Sequence, residues 1–295
     1  MAVRNRMRRK ETAFFYAFIS PWLIGFILLS IGPIIASFFI SFTSWNIFQP
    51  PTWVGLKNYT TLFQTPLFYT SLDNTLIYAL VTTPLGILIG LAVAVLLNQK
   101  IVFRNFFRVA FILPSTLPVV AVTMLWSWLL APAGLFNEVL QLFGIKGPAW
   151  FVDPAWMKPG LILFTLWTAG GGFVLFLAGL QGVPDYLYEA AELDGADAFT
   201  KFRHITMPML SPIVLFNLVT GIIGSMQTFT QVYILGSSNS LLMMVVYLFQ
   251  NAFQNFSMGF ASAIAWVLFV IIMLFSLLVF RWSSMWVYYE GEIKR

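Results

Sequence analysis

The 295-residue sequence contains no cysteine and one histidine, His204. Without cysteine there is no disulfide, no thiolate nucleophile and no cysteine-ligated metal, and a lone histidine argues against a histidine-ligated metal centre. Charge is almost as scarce. Only 9% of residues are charged, while 59% are hydrophobic and 18% aromatic; a soluble domain carries about a quarter charged residues. A chain this poor in charge cannot cover a water-facing surface, so its exterior meets lipid. The net charge of +5 is then no sign of nucleic-acid binding; what matters is where the basic residues sit.

Two motif classes are also missing. No G-x-x-x-x-G-K-[ST] phosphate loop occurs; the triple glycine Gly170, Gly171, Gly172 is followed by Phe173 inside an apolar run. The apolar runs hold almost no charge, with Asp73 and Arg281 at their ends, and contain no paired Asp, Ser–His pair or zinc motif. This disfavours an ion-coupled carrier, which keeps ionisable residues at depth, and an intramembrane protease.

What is present is a set of six apolar stretches of membrane-spanning length, over residues 13–41, 73–97, 106–130, 159–181, 211–235 and 260–281. These predict an all-α polytopic membrane protein of six transmembrane helices, a single transmembrane domain over residues 1–295. The basic start (Arg4, Arg6, Arg8, Arg9, Lys10) precedes an apolar run too long for a signal peptide, so the first span is expected to be uncleaved. Basic residues favour the cytoplasmic side. With both termini inside, Lys100, Arg104, Arg108, Lys201, Arg203, Arg281, Lys294 and Arg295 join the five at the start, and only Lys57, Lys146 and Lys158 fall outside. Trp45, Trp53, Trp150 and Trp156 are placed as interface anchors, and residues 241–249 are expected to form an amphipathic helix in the interface.

The cytoplasmic loop 182–210 is the most polar segment. Pro184 and Asp185 suit a helix start, Gly195 the left-handed position that ends a helix, and Asp197 the cap of a second short helix to about Arg203. Ala190 and Ala191 give a smooth face and Glu189, Glu192 and Asp194 a charged rim, which together read as a docking knob for a cytoplasmic partner. In the fifth span Asn217, Gly221, Ser225 (or Gly224), Thr228 and Gln231 recur at helical spacing on one face. A stripe of amides and hydroxyls suits sugar hydroxyls; close helix packing uses the same small residues. Trp167, in the fourth span, is a candidate stacking surface for a sugar ring, and Gly86 and Gly90 read as helix-packing positions. No Lys or Arg sits at depth, which favours a neutral solute over a phosphorylated or acidic one.

Glu189-Ala190-Ala191, Asp194-Gly195-Ala196, Phe199, Ile205 and Pro208 resemble the EAA loop of binding-protein-dependent ABC importer permeases. Pro21, Gly25, Pro33, Ser41, Thr43, Trp45, Asn58, Tyr59, Tyr247, Gly259 and Ala263 are similar to its sugar-permease branch; Gly236-Ser237-Ser238 stands where many members have Gly-Gly-Pro. The resemblance implies a type I ABC importer permease fold in a prokaryotic cell membrane. It implies that Glu189, Ala190, Ala191, Asp194, Gly195 and Ala196 form an ATPase-coupling surface. It also implies the partners: a second EAA-type permease subunit in a heterodimer, two cytoplasmic ATPase subunits that bind the ATP and magnesium, and an extracytoplasmic solute-binding protein. The chain itself is expected to hold no cofactor and to be no enzyme. A secondary carrier, a glycerol-phosphate-type ABC permease and a tethering scaffold stay open as rival readings.

Overall fold

The computed structural model describes residues 2–99, 101–236 and 238–288. Lys100, Ser237, Lys294 and Arg295, used above, lie outside them, as do the side chains of Arg4, Arg6, Arg8, Arg9 and Lys10. Among the described residues five helical runs are long and apolar enough to cross a membrane: Phe14–Ile40, Pro66–Asn98, Pro154–Gln181, Ala198–Leu235 and Met258–Ser283. A bent pair of helices, described below, makes a sixth crossing if it counts as one span. The protein is a multi-pass, all-α membrane protein. Its chain divides into two compact units, Met1–Gln64 with Leu248–Val267, and Thr65–Tyr247 with Leu268–Arg295.

In the first unit, α1 (Ala2–Phe26) passes through a wide π turn, Ile27–Ile31, into α2 (Gly32–Ile40). Pro33 lacks an N–H and its ring crowds the carbonyl four residues back; that carbonyl, on Leu29, lies within the π turn. A two-residue ribbon follows, β1 (Thr43–Ser44) against β2 (Thr52–Trp53), with Thr43 opposite Trp53, then α3 (Lys57–Gln64). Asn58 ties them together, its amide donating to Ser41 O at 2.8 Å and Thr43 O at 2.9 Å. Ser41 Oγ donates to Phe38 O and so accepts from Tyr59 OH at 2.7 Å. A Cβ on Gly259 would collide with Thr43 O, and Met258 N donates to Trp45 O at 2.9 Å. Six of the residues that carry the sugar-permease resemblance thus meet in one cluster.

The second unit is built on α4 (Pro66–Asn98). Next come α5 (Arg104–Thr116), α6 (Val119–Leu129), α7 (Leu135–Leu142), α8 (Pro154–Ala169) and α9 (Phe173–Gln181). The chain continues through α10 (Asp185–Leu193), α11 (Ala198–Lys201), α12 (Met207–Met226) and α13 (Thr230–Leu235). α14 (Met244–Phe249) and α15 (Met258–Ser283) run from one unit into the other. Leu91, Ala94 and Leu97 of α4 pack with Phe173, Phe176 and Leu180 of α9 and Leu210 of α12. Lipid is as apolar as leucine, so close packing rather than escape from water holds such helices. Glycines set the approach: a Cβ on Gly90 would meet the Phe176 ring and Gly172 C at 3.4 Å, and one on Gly179 would run into Ile213.

Four expectations are corrected. Residues 106–130 are not one helix: α5 and α6 meet at 98°. Pro118 disfavours helical geometry in the residue before it, and Leu117 is extended (φ −76°, ψ 147°). The second short helix of the loop does not stop near Arg203. It runs from Ala198 through a π turn at Phe202–Thr206 into α12, again with a proline, Pro208, two residues past the turn. The 211–235 run is interrupted at Gln227–Phe229, between α12 and α13. Finally, residues 241–247 do not lie in the interface. Leu241, Met243, Met244 and Val246 are fully buried, because the Asn74 amide donates to Asn239 O at 3.0 Å and Leu242 O at 2.9 Å, and Met244 N donates to Thr75 Oγ1 at 3.0 Å. The triple glycine is one tight 3₁₀ turn joining α8 to α9, and a Cβ on Gly171 would strike the Ser115 hydroxyl.

Candidate functional site: a polar chamber and a capped loop

α4, α8, α9 and α12 enclose a cavity of about 320 Å³, which α13 also reaches through Gln231. The structure brings Asn217, Gly221, Gly224, Ser225, Thr228 and Gln231 together on its wall, as the stripe predicts. Opposite them stand Tyr78, Thr82, Thr83 and Gly86 of α4 and Thr165 of α8. The glycines differ in role. A Cβ on Gly221 would come within 2.7 Å of Thr83 Cγ2, whereas one on Gly224 meets nothing within 4 Å. Gly221 therefore sets the distance between α4 and α12, and Gly224 opens space.

The wall carries eight polar side chains and no charged one, and most of its hydroxyl protons are already committed. Thr82 donates to Tyr78 O at 2.7 Å, Thr165 to Leu161 O at 2.8 Å and Ser225 to Ile222 O at 3.1 Å. A hydroxyl has one proton and two lone pairs. Tyr78 is therefore the donor in its 2.9 Å bond to Thr165, and Thr83 the donor in its 3.2 Å bond to Ser225. Asn217 spends one amide proton on Ile213 O at 2.8 Å. What these hydroxyls offer a ligand is oxygen lone pairs, a surface made for a molecule rich in O–H donors.

A smaller cavity of about 220 Å³ adjoins through Thr165 and Gln231, which line both. Pro114, Leu117 and Val119 at the α5–α6 bend and Thr168 beside the glycine turn complete its wall. Three interruptions of helical structure, the α5–α6 bend, the glycine turn and the 227–229 gap, thus lie about one spot. Trp167 lies elsewhere: 40% exposed, its ring 5.6 Å from Trp126. A lone aromatic at a helix position does not state which way it faces. Tyr78, Thr82 and Thr83 were missed because α4 reads as a nearly uniform apolar run; a run of small hydroxyls at 75, 82 and 83 was the available signal. Gly90 packs helices as expected, and Gly86 both packs, a Cβ there meeting Ala169 Cβ at 3.4 Å, and lines the chamber.

The 182–210 loop holds a second constellation. α10 ends at Asp194, after which Gly195 takes φ +77°. Gly195 N donates to Glu192 O at 3.0 Å and Ala196 N to Ala191 O at 2.9 Å, the paired bonds of a Schellman cap. Asp197 accepts from Thr200 N at 2.8 Å and so caps the next helix. Lys201 Nζ bridges back to Glu192 Oε1 at 2.7 Å, locking the two helices across the glycine. The Lys201 hydrogen bond and charge hold the Glu192 carboxyl below its ordinary range, and hydrogen bonds from Thr200 do the same for Asp197. Tyr188 OH meets Thr206 Oγ1 at 3.0 Å. Glu189 and Ala190 face outward while Ala191 and Ala196 are half-buried under the cap. Apolar groups share the outer face: Leu193 is 92% exposed, Phe199 67% and Tyr186 63%. His204 Nδ1 lies 3.1 Å from Thr200 O, a contact within its own helix.

Residues 83–285 match the family described as "Binding-protein-dependent transport system inner membrane component". The chain is 39% identical over 297 residues to "Probable ABC transporter permease protein YesP" of Bacillus subtilis (strain 168), covering 98% of this chain and 96% of that one. It is 35% identical over 285 residues to "Arabinooligosaccharides transport system permease protein AraP" of the same organism, covering 94% and 90%. Among solved structures, a chain of a bacterial ABC transporter involved in the import of the acidic polysaccharide alginate superposes with TM-score 0.83 at 24% identity, covering 96% of this chain and 99% of that one. That likeness concerns the fold.

Proposed function

The chain belongs to the binding-protein-dependent transport system inner membrane component family, and from that premise we propose that it is the permease subunit of an ABC importer for a neutral sugar or oligosaccharide. The observation that carries the substrate class is the chamber wall: eight polar side chains, no charge, and hydroxyls whose protons are already spent. An acidic sugar brings anionic acceptors to hydroxyls whose protons are spent, leaving the Asn217 and Gln231 amides as donors and no Lys or Arg to compensate. A neutral sugar brings hydroxyl donors. The name of the arabinooligosaccharide relative supports the same class.

In this reading the basic ends and the 182–210 loop face the cytoplasm. Glu189, Ala190, Ala191, Asp194, Gly195 and Ala196, with exposed Leu193 and Phe199 beside them, form the surface that docks on a separate ATPase. ATP and magnesium are bound by two such subunits, and the chain supplies no hydrolytic site. A second permease of the same kind completes the pathway, and an extracytoplasmic binding protein delivers the sugar. Closure of the ATPase pair moves the capped loop. The Schellman cap and the Lys201–Glu192 bridge support this, because a loop that transmits displacement must hold its shape.

The test is uptake by the assembled transporter in vesicles, with neutral arabino- or galacto-oligosaccharides and with uronic-acid oligomers. Uptake of the neutral set is expected to persist when ion gradients are collapsed and to stop without ATP. Gradient-driven uptake without ATP would establish a secondary carrier instead, and equal uptake of uronic-acid oligomers would overturn the neutral assignment.

A further inference from the structure

We propose that this protein carries a specific site for an anionic phospholipid between α12 and the end of α15, separate from the chamber and the docking loop. A cavity of about 580 Å³ lies there. Met207, Val214 and Leu218 line it along one face of α12, Trp282 and Trp286 wall its other side, and Arg203 stands before the first of these helix residues.

Shape and chemistry point to one occupant. From Met207 to Leu218 a helix rises roughly 16 Å, close to the roughly 15 Å of one leaflet's hydrocarbon; the cavity has the reach of a single acyl chain. Its head end is polar. Arg203 is exposed and makes no ion pair among the described residues. Trp286 contributes the face of its ring, since its indole nitrogen is shut off from solvent and has no acceptor among the described residues. Ser211, the other polar group in the wall, is already satisfied: it donates to Pro208 O at 2.6 Å and accepts from Tyr288 N at 2.8 Å. The cavity therefore lacks an acceptor carrying negative charge at its head and an apolar chain along its length. An anionic lipid supplies both, its phosphate meeting the Arg203 guanidinium and its acyl chain lying along Met207, Val214 and Leu218 between the two indole rings. The site is open at its flank, where Trp282 is 57% and Met285 68% exposed, and tryptophan and arginine are the side chains that membrane interfaces favour.

The full chain, with the subunits that co-purify with it, is reconstituted in vesicles of equal parts phosphatidylglycerol and phosphatidylcholine, extracted in mild detergent, and its retained lipid measured by native mass spectrometry. The wild type is expected to retain phosphatidylglycerol selectively. Arg203→Gln should weaken retention about tenfold, the scale of one charge-assisted hydrogen bond. Trp286→Ala removes one wall of the cavity and should weaken it several-fold. A Leu218→Cys variant carrying a photo-crosslinker should capture lipid. Equal retention of phosphatidylcholine, retention unchanged in both variants, or crosslinking of Leu218→Cys to a helix of another subunit would each overturn the proposal.

Discussion

Thr83 and Ser225 hold α4 and α12 together at the chamber, their hydroxyls 3.2 Å apart, and the methyl of the same threonine faces Gly221 one helical turn away. One side chain thus sets both the polar contact and the spacing of the two helices that bound the cavity. The stripe on α12 serves packing and lining at once, at alternate positions.

That division of labour separates two conservative substitutions. Gly221→Ala pushes a methyl to 2.7 Å from Thr83 Cγ2 and is expected to cost about 1–3 kcal/mol of overpacking. Gly224→Ala meets nothing within 4 Å and gains up to about 1 kcal/mol of helix propensity, so the protein should be as stable as wild type or more so, with slower uptake because the chamber narrows. Thermal unfolding in detergent alongside vesicle uptake checks both; a Gly224→Ala protein less stable than Gly221→Ala would contradict the assignment.

Asn74 is expected to be a stability residue. Asn74→Ala removes the donor to Asn239 O and Leu242 O, at about 1–3 kcal/mol for each carbonyl left unmet. The 236–247 segment should then become cleavable by protease while the polypeptide still inserts. Resistance equal to wild type would mean that buried packing alone keeps the segment in place.

Gly195 is expected to be irreplaceable by a β-branched residue. At φ +77° an L side chain pays about 1–2 kcal/mol, enough to loosen the cap on α10. Gly195→Val should abolish ATP-dependent uptake while leaving solute binding at the chamber as in wild type. Full uptake in this variant would dismiss the loop as the coupling element.

The loop should also lose order only in strong acid. Glu192 and Asp197 are both held below their ordinary range in the folded chain, so the unfolded state binds protons more readily. Their contribution is fully present above the ordinary carboxylate range near pH 4 and lost as pH falls through the lowered values. Hydrogen exchange of residues 185–201 should be flat, after correction for intrinsic rates, from pH 8 to 5 and rise below about 4. Lys201→Gln should move that rise upward. A protection loss centred near neutrality would point to some other group.

Periodicity and capping carried much of this architecture in the sequence. The apolar runs locate the crossings, Gly195 and Asp197 announce their caps, and spacing alone puts Asn217, Gly221, Ser225, Thr228 and Gln231 on one wall. The misses share a cause. Hydropathy averages over a window and cannot see a 98° bend made by two residues at Leu117 and Pro118, nor a three-residue gap, Gln227-Thr228-Phe229, set between apolar runs. Residues 241–249 look amphipathic on their own; the distant partners Asn74 and Thr75 tie 241–247 into the interior. The direction of Trp167 and the chamber role of Tyr78 depend on which helices become neighbours, and no local pattern encodes that.

The broken helices around Thr165 and Gln231 have one more consequence. A helix end leaves main-chain groups with no partner in its own ladder, and in a bilayer such groups persist only beside protein or water. The cavity of about 220 Å³ at this spot leaves room for either. On the proposed function, a polyol arriving there meets main-chain and side-chain polar groups and never has to cross oil, so stripping it of water would add little to the barrier to its passage.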